Sequence, residues 1–316
     1  MSVPVPLKKI GEYCGPAIHF CMDNAIGWEL YRSFLAVLEE GSLSAAARAL
    51  GLTQPTVGRH VAALEQALAV PLFVRSQTGL LPTDAALALR GHAQAMGSLA
   101  ASLQRAAGRH GDAVRGTVRI AASEVIGAEL LPPVLAALRR AHPQLRLELV
   151  LSNRVQDLLH READVAVRMT RPTQDVLVAR HVGEVAVALF AHQDYVDRHG
   201  LPQALEDLPQ HALIGFDAET PFLRAARSAL PAWRREAFAL RADSDLAQLA
   251  LLRAGCGIGF CQVALARRTP TLVPVLPQQV RVGLESWIVM HQDVRGSAAC
   301  SAVFAALVEA MAAHTA

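Results

Sequence analysis

Apolar positions first fall into a helical rhythm at Trp28. Leu30, Phe34, Val37 and Leu38 recur at spacings of three and four and form one stripe, which Gly41 ends. Ser42 is placed to cap a short alanine-rich helix that buries Leu43, Ala46, Ala47 and Leu50, and Gly51 supplies the turn after it. Thr53 is read as the cap of the next helix, with Pro55 in the first turn, where its missing N–H breaks no intrahelical bond. That helix turns Val57, Val61, Leu64 and Leu68 inward, so Gln54, Thr56, Gly58, Arg59 and Ala62 must face outward. Two short apolar runs in Val70 to Thr83, around Ser76 to Gly79, predict a hairpin with Arg75 at its base. A long helix follows from Asp84 to Arg109, with Leu89, Ala93, Met96, Ala100, Leu103 and Ala107 in alternating steps of four and three, a seam for a helix of a second copy. Docking of that stripe onto its own domain is the alternative.

From Thr117 the period changes. TVRIAAS, a helix near Leu130 to Arg140, LRLELVLS, a helix near Val155 to Arg161 and DVAVRM alternate, which predicts βαβ units and a parallel sheet. VAVALF, ALIGF, FALRAD, GIGFC and ESWIVM add strands, and Ala298 to Met311 a last helix.

At 316 residues the chain exceeds one average domain, and 52% hydrophobic against 18% charged residues leaves enough apolar surface for packed cores. The charge-free stretch Gly91 to Gln104 is shorter than the ~18 apolar residues a spanning helix needs. Five sparse cysteines without a secretion signal before them suit a reducing cytoplasm. Both lysines, Lys8 and Lys9, lie in the first 22 residues, which hold three prolines before Cys21 and no apolar period. Residues 1–22 therefore read as a poorly ordered leader, and Met22 as a candidate start.

Two capped helices around a tight glycine turn, the second with a small outer face, make a helix-turn-helix narrow enough for a major groove. An ordinary helical corner shares that spacing, and the hairpin after it favours the groove-reading form. Phe34 to Thr83 resembles the winged helix-turn-helix of LysR-type transcriptional regulators: FLAVLEEGSLSAAARALGLTQPTV, HVAALEQAL and VPLFVR follow that family's order and spacing. The chain departs from the family's pattern at Gly58, where serine is common, at Ala69, where glycine is, and at LLPTDAA. The resemblance implies a DNA-binding domain over 23–83, a dimerising linker helix over 84–111 and, over 112–316, an α/β effector domain of two lobes like those of periplasmic solute-binding proteins. It also implies a homodimer or homotetramer on a promoter inverted repeat in double-stranded DNA, with RNA polymerase as a further partner. By residue match, Ser42, Ser44, Thr53, Gln54, Thr56, Arg59 and Arg75 face DNA, Arg59 foremost. Asp23 to His110 carries seven arginines against six acids, a weak field for phosphate neutralisation unless two copies act together. A glycine at 58 should cost about 1 kcal/mol of helix stability, which points to close backbone approach to DNA or to drift.

Ser123 ends the first strand where a helix should begin, so its hydroxyl and the following N–H groups are placed to receive an anion. Ser152 and Asn153 sit similarly after the second strand, and Arg168 after the third could meet an acidic effector. By match to the family, Phe216, Asp243 and Ser244 complete the rim of a cleft between lobes. GCGIGF follows a helix and enters a strand, the reverse of a dinucleotide loop. Cys256 and Cys261 have no cationic residue nearer in sequence than Arg253 or Arg267 and read as inert thiols rather than a redox pair. No HExxH, CxxC pair, GxSxG or P-loop occurs. The reading is a cytoplasmic, ligand-controlled DNA-binding regulator without metal, cofactor or catalytic role. The alternative is an oligomeric small-molecule-binding protein that does not bind DNA.

Overall fold

A computed structural model describes residues 26–76, 79–107, 113–153, 163–172, 174 and 176–315. The predicted leader and the helix expected over Val155 to Arg161 lie outside the described residues. The chain divides into two compact units, Met1–Gly97 and Ser98–Ala316.

The first unit is a three-helix core with a hairpin: α1 (Trp28–Glu40), α2 (Leu43–Leu50), α3 (Gln54–Leu68), β1 (Phe73–Ser76) and β2 (Gly79–Pro82), followed by the start of α4 (Asp84–Ala107). Val37, Ala46, Ala47, Val57 and Val61 form one cluster between α1, α2 and α3. Phe34, Leu64, Leu72, Ala86 and Ala93 form a second beneath α4. Phe34, Leu64 and Leu72 are fully buried, each worth roughly 1.5–3 kcal/mol of transfer free energy. The hairpin is tied back by the Leu80 N–H, which donates to the Gly41 carbonyl at 3.2 Å.

The seam expected along α4 divides. Leu89 and Ala93 pack into the unit's own core, as the docking alternative foresaw, while Met96 and Leu103 are exposed together with Leu87 and Leu99. Ala86 and Ala93 share the cluster around Phe34, and the larger apolar side chains Leu87, Met96, Leu99 and Leu103 are left outward.

The second unit is built on β3 (Gly116–Ala122), α5 (Leu131–Ala141), β4 (Leu145–Leu151), β5 (Val165–Arg168), β6 (Leu177–His192), α6 (Gln193–His199), β7 (Leu213–Gly215), α7 (Pro221–Ala229), β8 (Phe238–Arg241), α8 (Asp245–Arg253), β9 (Ile258–Gln262), α9 (Val263–Ala266), β10 (Leu272–Val275), β11 (Arg281–His291) and α10 (Ala298–Thr315). Its sheet runs β4-β3-β5-β11-β6-β9-β7-β8, with β10 also on β6. The sequence suggested a parallel sheet, but the sheet is mixed. β3 pairs parallel with β4 and β5, and β7 with β8 and β9, whereas β6 and β11 run antiparallel between these groups. The expected parallel signal is present in each lobe, and two long crossing strands join the lobes. One core gathers Val118, Ile120, Val165, Ile288, Val303 and Leu307, and the other Leu189, Tyr195, Leu213, Trp233, Phe238 and Ile258. β6 feeds both, through Val185 and Val187 on one side and Leu189 and Ala191 on the other.

Alongside the first of these cores the β6–β11 register shifts, with Ser286 opposite Gly183 and Trp287 opposite His181. Val182 is left between these pairs, and its carbonyl accepts from the Thr315 hydroxyl at 2.7 Å. Gly183 takes φ +119°, and a Cβ there would lie 2.5 Å from Thr315 Oγ1, so this irregular point of the ladder requires glycine.

Candidate nucleic-acid interface and interlobe cleft

Ser42 caps α2, its Oγ accepting from the Ala45 N–H at 3.2 Å, and Gly51 turns the chain at φ +67°. Thr53 holds the N-cap position of α3 but makes no side-chain cap bond; its hydroxyl instead shares a hydrogen bond of 2.8 Å with Thr56. Its carbonyl takes the Thr56 and Val57 N–H groups, which closes the first turn by backbone alone. Ser44, Thr53, Gln54 and Arg59 are exposed and Thr56 half-buried, so α3 presents a continuous outer face while Val57, Val61 and Leu64 point inward. Arg75 is exposed on β1, opposite Leu80.

Sequence reasoning missed the struts behind this face. The buried Ser33 hydroxyl bonds His60 Nδ1 at 2.8 Å and fixes the ring next to Arg59. Glu65 Oε1 accepts from the Leu72 and Phe73 N–H groups at 2.7 and 3.2 Å, joining α3 to the hairpin. A Cβ on Gly58 would meet Leu43 Cδ1 at 3.7 Å, ordinary contact, so packing inside the unit does not require glycine there.

In the second unit Ser123 and Ser152 end β3 and β4, neighbouring parallel strands. Arg168 ends β5 opposite Trp287, its side chain buried to 8% exposure, unlike the solvated arginine that composition makes common. Three side-chain bridges cross from this lobe to α8. Glu124 Oε2 accepts from Ser244 Oγ at 2.7 Å and from the Leu246 N–H at 3.2 Å. Asn153 Oδ1 accepts from the Glu124 N–H at 3.3 Å while its Nδ2 donates to Asp245 at 2.9 Å. Glu129 and Arg253 form a two-bond ion pair. Ser244 also caps α8 through the Ala247 N–H at 3.3 Å.

Burial, with the Glu124 charge adding to it, raises the Asp245 carboxyl above its ordinary range. The hydrogen bond from Arg253 lowers Glu129, and the same bond raises Arg253. Asp243 lies in the same region, but its Oδ1 accepts from the Asp217 and Ala218 N–H groups and so shapes a loop. Phe216 is half-buried, edge-on to Phe222 at 6.4 Å. Of the expected rim, Ser244 and Asn153 come together at the lobe boundary; Glu124, Asp245, Glu129 and Arg253 were not foreseen. A serine-rich strand end signals a ligand site, but a carboxylate partnered 120 residues away leaves no local trace. Surface hollows of about 730 Å³, at Leu135, Arg139 and Arg146, and about 280 Å³, at Pro202, Pro274 and Pro277, include none of the seven candidate effector residues.

Cys261 is buried, and burial pushes its thiol up to about 11, in keeping with an inert group. Among the described residues no group of three or more His, Cys, Asp or Glu could hold a metal ion.

Family models match almost the whole described chain. Residues 28–87 match the "Bacterial regulatory helix-turn-helix protein, lysR family" and residues 111–312 the "LysR substrate binding domain". The chain belongs to the LysR family. An HTH-type transcriptional regulator of Xanthomonas campestris pv. campestris is 32% identical over 181 residues, 57% of this LysR-family chain and 53% of that relative, so the match spans about half the relative's length. The structure of CrgA, a LysR-type transcriptional regulator from Neisseria meningitidis, aligns over 90% of this chain and 98% of that one, at 26% identity and a TM-score of 0.55. The full-length CbnR structure, complexed with its target DNA, shares the fold at 21% identity and a TM-score of 0.60 over 90% of this chain and 99% of that one.

Proposed function

We propose that this LysR-family protein is a sequence-specific DNA-binding transcriptional regulator controlled by a small molecule held between the lobes of its second unit. The observation that carries the reading is the outer face of α3, with Gln54 and Arg59 exposed behind a capped α2 and a φ +67° turn at Gly51. Ser42 and Thr53 then serve mainly to set the two helices, and Ser44, Gln54, Thr56, Arg59 and Arg75 meet phosphate or base edges. Two copies joined through the outward apolar positions Met96, Leu99 and Leu103 combine their weak fields on an interrupted inverted repeat, as a homodimer or a dimer of dimers. RNA polymerase is the natural further partner, the cytoplasm the compartment, and no catalytic step is assigned. Arg168, buried at a strand end beside the Ser123 level, supports an effector that carries negative charge. Control requires the effector to bind two arrangements unequally.

The test is a mobility-shift titration of the purified protein on its own upstream region at low ionic strength. Binding is expected, with Arg59→Ala weakening it and reducing the salt slope by about one unit. Unchanged affinity and slope would remove Arg59 from the interface. The modest positive charge of the first unit favours a second reading, an oligomeric solute-binding protein, and failure of the wild type to bind that DNA would decide for it. A thermal-shift screen of small carboxylates and aromatics addresses the cleft, where a hit should stabilise the wild type more than Ser123→Ala.

A further inference from the structure

Ser123 and Ser152 are each followed directly by a residue whose side chain grips the opposite lobe. Glu124 places one carboxylate oxygen on the Ser244 hydroxyl and the Leu246 N–H, the first turn of α8. Asn153 is bound at both ends of its amide, holding the Glu124 N–H with its oxygen and Asp245 with its nitrogen. The two residues brace each other, and both reach across from the ends of β3 and β4. The donors of Ser244 and Leu246 are those a ligand carboxylate entering at the start of α8 would seek. A helix terminus offers them to one carboxylate oxygen at a time, so such a ligand binds there only by evicting Glu124.

We propose that Glu124 is an internal clasp that holds the lobes of the effector domain together, and that its eviction from the first turn of α8 is the step by which cleft occupancy is transmitted to DNA binding. The proposal rests on the reading of the cleft as the effector site. Ser123 and Ser152 act on the clasp through the backbone, since a ligand bonded to either moves the residue next to it. Glu124 is thus a positioning residue for Ser244 and α8.

The experiment is hydrogen exchange by mass spectrometry on the full-length protein, paired with DNase footprinting on its own upstream region, for wild type, Glu124→Ala and Glu124→Gln without added small molecule. In Glu124→Ala the Leu246 amide is expected to exchange about tenfold faster, with peptides of α5 and α10 unchanged, and the footprint to alter in length or affinity. Glu124→Gln keeps an oxygen for Ser244 and Leu246 and should stay close to wild type in both readouts. Unchanged exchange at Leu246 in Glu124→Ala overturns the clasp, and faster exchange with a wild-type footprint overturns its coupling to DNA. If Glu124→Ala fails to fold, Asn153→Ala replaces it, with the same outcomes at Leu246 deciding. A wild type that leaves no footprint overturns the regulatory reading itself, while exchange at Leu246 still decides separately whether the clasp exists.

Discussion

Glu129 and Arg253, 124 residues apart, face each other across the lobe boundary, with Nη1 and Nη2 of the guanidinium each donating to one carboxylate oxygen, at 2.7 and 2.9 Å. The geometry is that of a strong charge-assisted pair, but the side chains keep 27% and 34% of their exposure, which screens it. A double-mutant cycle of Glu129→Ala and Arg253→Ala in urea unfolding should give a coupling of about 1 kcal/mol at pH 7. Because the folded state lowers the Glu129 pKa from 4.5, the contribution is present above that value and is lost as the pH falls through the lower folded one. A coupling that does not weaken at all on acidification would contradict the assignment.

Asp245 should show the opposite sign. Its folded pKa is raised, so its stabilising share is present below the ordinary carboxylate range and is lost as the pH rises through the folded value. Asp245→Asn, which keeps an oxygen for Asn153, should raise Tm at pH 7 and leave it close to wild type at pH 3.5. Equal melting of the two proteins at pH 7 would refute this.

Ala69 ends α3 in the left-handed region at φ +54°, where a Cβ crowds the following carbonyl. Ala69→Gly should stabilise the first unit by about 1 kcal/mol, read as a higher urea midpoint at constant m-value. A lower midpoint would show that the loss of alanine contacts outweighs the relief of strain.

Gly58 tests the outer face by opposed effects. Alanine fits without a clash and should stabilise α3 by about 1 kcal/mol, yet it places a methyl group on the surface assigned to DNA. Higher Tm with weaker binding in the mobility-shift assay is expected. Higher Tm with undiminished affinity would mean that the backbone at 58 does not approach DNA.

The first unit was legible because its information is local. Ser42, Gly51 and the Val57–Val61–Leu64 stripe each act within a few residues, and periodicity records that. Thr53 misled as a side-chain cap because a second hydroxyl, Thr56, lies one turn on and captures it. In α4, the stripe Leu89 to Ala107 is a single pattern in sequence, yet Ala86 and Ala93 draw its first half against Phe34, which periodicity alone does not reveal. The mixed sheet escaped notice because strand direction is set by tertiary pairing, with β11 returning to β5 and β6 from 93 to 125 residues away. Asn153 was singled out from a strand end and Ser244 from the family match, and both take part in the bridges between the lobes. Glu124 and Arg253 could not be singled out, since each resembles any solvated charge until its distant partner is in place.

The two long strands have a consequence for how the second half of the protein can melt and be taken apart. Residues of β6 are shared between the two hydrophobic clusters, and β11 accompanies β6 through the register shift at Gly183. Neither half can lose its order without stripping neighbours from the other. Calorimetry of residues 112–316 should therefore record one endotherm rather than two, and expressing either half by itself should yield insoluble chain.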